Sequence, residues 1–195
     1  MGVTIHFEGC LKGRDQCDAL LQQAKAFSIE HGWTVEPIEE SQTTLHRVID
    51  ERDVDYVGPV SGLTLHPHPN SEPLRLEIDN QLFLQEYCKT QFAGAEIHIK
   101  IVGLLRSIAP LFSELRVYDE GEYWETEDED ILRKHFEETE NILNAFMRKN
   151  PGAYGPVRLP SGRIADIVNN EEGRGEGRPL QPPLLERIRA KLWRA

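Results

Sequence analysis

The sequence predicts an α+β fold: an antiparallel or mixed sheet with helices packed on one face, plus an extended C-terminal tail ending in a short helix. Two observations carry this. Apolar residues alternate with period two near the start and again in several short segments between 54 and 92. Helix-spaced apolar stripes run from Asp15 to His31, from Gly94 to Phe112 and from Thr126 to Met147. Runs of adjacent strands with helices at their ends fit α+β and not a doubly wound parallel sheet.

The elements follow in order. Val3, Ile5 and Phe7 alternate with Thr4, His6 and Glu8, as a half-buried strand requires. Asp15 reads as the N-cap of a helix, with Asp18 in its first turn and Cys17, Leu20, Leu21, Ala24 and Phe27 on one face. His31 and Gly32 end it. Trp33 and Val35 mark a second strand that Pro37 should close. Residues 38–53 are polar, with Leu45, Val48 and Ile49 offering one short helical turn or irregular contact.

Four strands are then expected at 54–58, 62–67, 74–79 and 82–92, bounded by Gly58-Pro59, Pro67 to Asn70, and Asp79-Asn80. They read as an antiparallel meander, the last also being long enough for a helical turn. A second helix opens at Gly94, and Pro110 should kink or end it. A strand follows at 115–119, then a turn or strand at 121–125. Thr126 and Glu129 form a capping-box pattern before Leu132, Phe136, Leu143, Phe146 and Met147. Asn150-Pro151-Gly152 stops that helix.

The expected organisation is an acidic α+β domain over 1–149 and a basic, Pro/Gly-rich tail over 150–195. The tail holds an amphipathic helix at 183–194 with Leu184, Leu185, Ile188, Leu192 and Trp193 near one side.

Composition narrows the function classes. The 195 residues are 39% hydrophobic and 28% charged, which suits a folded chain. No apolar run reaches the ~18 residues of a membrane span. MGVTIHFEG lacks the basic flank and apolar stretch of a signal peptide, and His6 stands where myristoylation wants Ser or Thr. Cys10, Cys17 and Cys88 have neither disulfide nor zinc spacing, so reduced thiols and a cytoplasmic location are expected. A net charge of −11 disfavours nucleic acid. Phosphate-loop, dinucleotide, metalloprotease and nucleophile-elbow motifs are missing, so no cofactor is indicated.

The charge is divided. Residues 148–195 carry net +5 and residues 1–147 carry −16. Eight carboxylates lie within 119–130, four of them expected in the first turn of a helix. Tyr118, Asp119, Glu122, Tyr123, Trp124 and Glu125 form an acidic aromatic candidate surface. Acid steers a basic partner and aromatic rings anchor it. The expected role is a non-enzymatic interaction domain: an adaptor, inhibitor or immunity-type protein. The partner would be a basic protein or this chain's own tail, within the chain or across a homodimer.

A second reading is a metal-dependent or small-molecule enzyme. His66 and His68, two apart on an extended strand, would point the same way as two metal ligands. Glu86, Tyr87, Lys89, Thr90 and Gln91 would supply acid–base groups.

Overall fold

A computed structural model describes residues 2–49, 51–169 and 178–180. The expected helix at 183–194 lies outside the described residues. The chain divides into two compact units, 1–142 and 143–195, so the division falls inside the last helix.

The first unit runs β1 (Thr4–Leu11), α1 (Asp15–Glu30), β2 (Thr34–Ile49), β3 (Arg52–His66), β4 (Leu74–Asp79), β5 (Phe83–Lys89), α2 (Ala95–Ile108), a 3₁₀ turn (Ala109–Leu111), β6 (Phe112–Asp119) and α3 (Tyr123–Thr126). The last helix, α4 (Glu129–Lys149), begins in it. Two three-stranded antiparallel sheets result, ordered β5-β1-β6 and β2-β3-β4. The fold is therefore α+β.

Local chemistry explains most boundaries. α1 is capped one residue earlier than expected: Arg14 is the N-cap, and Asp15 is the first helical residue. Gly32, at φ 68°, follows its end. Pro110 falls in the 3₁₀ turn, after α2 has finished. α4 is capped by Asp128 and not by Thr126: Asp128 Oδ1 accepts from the Asp130 and Ile131 amides at 2.8 and 3.3 Å. Two carboxylates, Glu129 and Asp130, lie in its first turn where the sequence predicts four, and residues 123–126 form the single turn of α3.

The largest departure is the hairpin β2–β3. Pro37 does not close β2; it sits opposite Leu63 in a 16-residue edge strand, where a missing N–H is tolerated. The segments 54–58 and 62–67 belong to one strand, β3. Gly58-Pro59 interrupts nothing, because it faces the bulge between Glu40 and Thr43. Gly62 is needed for packing: a Cβ there would meet Leu76 O at 1.8 Å. The meander runs for three strands only, since β5 leaves it to pair with β1.

The core forms between α1, α2 and the inner faces of the sheets. Ile5, Phe7, Leu20, Leu63, Leu76, Leu84, Ile101 and Leu105 are all buried there. Each such side chain contributes ~1.5–3 kcal/mol of hydrophobic stabilisation. A smaller cluster of Val3, Ala95 and Leu132, with Phe136 against it, holds the first turns of α4.

In the second unit, β7 (Ala153–Tyr154) pairs with β10 (Val168–Asn169). β8 (Val157–Arg158) pairs with β9 (Ile164–Ala165) and β11 (Arg178–Pro179). The Pro/Gly-rich segment thus forms short ladders around buried Val157 and Ile164.

Candidate functional site

Strand periodicity divides the acidic aromatic segment. On β6, Tyr118 points outward and Asp119 inward: Tyr118 is 66% exposed and Asp119 3%. Tyr118 joins a row across the outer face of the first sheet. His6 lies opposite both Tyr87 and Tyr118, with ring centroids 5.7 and 5.9 Å away.

Asp119 is the hub of an internal network. Thr90 Oγ1 lies 2.8 Å from His98 Nδ1, and His98 Nε2 lies 3.0 Å from Asp119 Oδ2. The Gly121 amide donates to Asp119 Oδ1 at 2.7 Å and the Trp124 amide to Oδ2 at 2.9 Å. Burial pushes the Asp119 carboxyl up. The hydrogen bond and charge of His98, with the Gly121 and Trp124 amides, outweigh that and hold it below the ordinary carboxylate range. Gly121 is required by packing, since a Cβ would meet Leu132 Cδ1 at 2.5 Å and His98 Cε1 at 3.1 Å. Hydroxyl, imidazole and carboxylate stand in the order of a nucleophile relay. A nucleophile must reach substrate, however, and Thr90 and His98 are 0% exposed. The Thr90 hydroxyl instead lies 3.1 Å from Val3 O. The network ties β1, β5, α2, β6 and α3 together.

Outside this network lies an acidic shelf. Glu122, Glu125, Glu127, Asp128, Glu129 and Asp130 are exposed. Tyr123 and Trp124 are half-buried and pack against the core. Arg106 of α2 reaches this shelf: its guanidinium lies 5.2 Å from the centre of the Trp124 ring. It donates to Trp124 O at 2.6 Å and to the Glu127 carboxylate. His135 Nε2 lies 3.4 Å from Glu122, and Arg133 pairs with Glu129. Of the six candidate residues, Glu122, Tyr123, Trp124 and Glu125 stay together, Asp119 supports them from beneath, and Tyr118 belongs to another face.

His66 and His68 do not share a strand. β3 ends at His66, whose Nε2 is 3.4 Å from Glu36 without hydrogen-bond geometry. His68 Nδ1 accepts the Asn70 amide at 3.0 Å within a turn, and burial pulls its pKa down. Among the described residues, no three His, Cys, Asp or Glu side chains converge as metal ligands. The polar run 86–91 is likewise distributed. Tyr87 faces out, the Lys89 amide donates to Glu72, and Thr90 and Gln91 clamp Val3 through their amides at 3.0 and 3.2 Å.

Two features have no simple signal in the sequence. Arg47 is 6% exposed; its Nη1 donates to buried Asp79 at 2.5 Å, and its guanidinium stacks on Tyr56 and Phe83. It anchors the distal half of the β2–β3 hairpin, where Val48, Val54 and Val57 remain exposed. An apolar groove of about 310 Å³ is lined by Lys25, Ile29, Val35, Pro37 and Leu63. No family model, curated protein or solved structure matches this chain.

Proposed function

We propose that the chain is a non-enzymatic interaction domain, of adaptor, inhibitor or immunity type, that receives a basic protein on the acidic shelf of α3 and the start of α4. The observation that supports this reading is the seat of Arg106. A guanidinium of the chain itself, stacked on Trp124 and bonded to Glu127, supports reading the shelf as a surface that accepts cations. Glu125 and Asp130 extend that chemistry outward, with no ion pair among the described residues. Three free cysteines fit a reducing, cytoplasmic setting.

The test is a pull-down from the native lysate, with the captured protein then titrated against the wild type and a Glu122→Gln/Glu125→Gln/Asp130→Asn variant. The triple change leaves the buried network intact and is expected to weaken binding roughly tenfold, because rim charges contribute singly little and together more. Capture of no basic protein at low salt, or an affinity unchanged by the triple substitution, overturns the reading.

A further inference from the structure

β6 is the last strand of the sheet β5-β1-β6, and among the described residues its outer edge has no ladder partner. An open edge offers a row of N–H and C=O groups to another strand. β6 spans eight residues and contains no proline. Its solvent-facing Glu114, Arg116 and Tyr118 are exposed.

We propose that β6 pairs antiparallel with β6 of a second copy about a two-fold axis through Leu115, giving a continuous six-stranded sheet β5-β1-β6-β6-β1-β5. An isologous strand pair requires that each residue contact pair occur twice. Keeping the solvent faces aligned requires that outward residues oppose outward residues. Few registers meet both conditions, and charge selects among them. A centre at Leu115 sets Glu114 opposite the partner's Arg116 and Arg116 opposite the partner's Glu114. A centre at Arg116 sets two guanidinium groups face to face, and a centre at Glu114 sets two carboxylates face to face. A centre at Val117 sets Arg116 opposite the partner's Tyr118 and forms no pair of opposite charges within the strand. Opposite charges directly across a ladder stabilise it, and like charges destabilise it. Arg116 already lies 3.1 Å from Glu114 of its own strand and 3.7 Å from Glu8 of β1, so the two-fold would bring six charges together, each Arg116 among carboxylates. This interface lies on the sheet edge and is independent of the acidic shelf.

Sedimentation equilibrium across a concentration series tests it. The wild type is expected to show a reversible monomer–dimer equilibrium. Glu114→Arg and Arg116→Glu should each weaken the dimer roughly tenfold or more, because each sets like charges opposite one another. The double swap Glu114→Arg/Arg116→Glu should restore it. Circular dichroism and melting temperature check that each variant is folded. For the wild type alone, hydrogen exchange at the β6 amides should slow as concentration rises. A monomer at every concentration, a dimer indifferent to both single changes, a folded double swap that stays monomeric, or β6 exchange that ignores concentration each overturns the proposal.

Discussion

His98 and Asp119 are the residues on which the acidic segment depends. The pair is buried, so removing His98 leaves the Asp119 carboxylate without its charge partner in a low-dielectric interior, held only by the Gly121 and Trp124 amides. His98→Ala is expected to cost ~3–5 kcal/mol of unfolding free energy, measured by urea titration. Because the folded-state pKa of Asp119 is depressed, its ionised form stabilises the native state above about pH 4. That contribution is lost as pH falls through the depressed value. Asp119→Asn should therefore be less stable than wild type at pH 7, and the gap should narrow on acidification; a gap constant from pH 7 to 2 would contradict the assignment. The cysteines offer a second residue-level test. Cys10 is exposed, and the Cys17 thiol is pushed up by burial and by Asp18. Cys88 is buried and donates to Glu72 O at 3.2 Å. A thiol reagent at neutral pH should modify Cys10 first, Cys17 slowly, and Cys88 only on unfolding.

At the scale of elements, the β2–β3 hairpin stands out because its distal half has little core to hold it. A lone two-stranded ribbon is marginal in water. Here the Arg47–Asp79 pair and the Gln85 side chain make up the difference. Gln85 accepts the Val48 amide at 2.9 Å, donates to Val48 O at 2.6 Å and donates to Glu8 at 2.5 Å. These bonds let one side chain stand in for a neighbouring strand. Arg47→Ala should release residues 43–57 to fast hydrogen exchange and to proteolysis, while the amides of β1 and α2 stay protected. Equal protection in both proteins would show that the anchor lies elsewhere. Much the same physics explains why this hairpin is hard to read from sequence. Burial does alternate along it, with Thr43, Leu45 and Arg47 facing inward and Thr44, His46 and Val48 outward, but polarity does not follow the faces: Arg47 is buried while Val48 and Val57 are exposed. β1 and α2 are legible because each has one dry face, marked by Ile5 and Phe7 in one and by Ile101, Leu104, Leu105 and Ile108 in the other.

Across the whole molecule, charge is the organising quantity. The first 147 residues are strongly negative and the remainder positive, so the encounter proposed with a basic partner would be steered by charge and screened over about 8–10 Å at physiological salt. Association with the proposed partner should therefore slow steeply as salt rises from about 50 to about 200 mM, while dissociation changes less. Stopped-flow measurement checks this, and an association rate indifferent to salt would argue for an apolar contact such as the groove beside Ile29.

By itself the sequence determined the α+β class, the cores of β1, α1, α2, β4 and α4, and the concentration of carboxylates between 119 and 130. These are local properties: periodicity, capping and net charge are written in neighbouring residues. Only the tertiary structure decided which of those carboxylates face water. It turned Asp119 inward onto His98, gave Trp124 and Glu127 to Arg106, and separated His66 from His68 at the end of a strand. Each of these pairings joins residues distant in sequence or depends on where a strand stops, and no local pattern encodes the packing that brings such groups together.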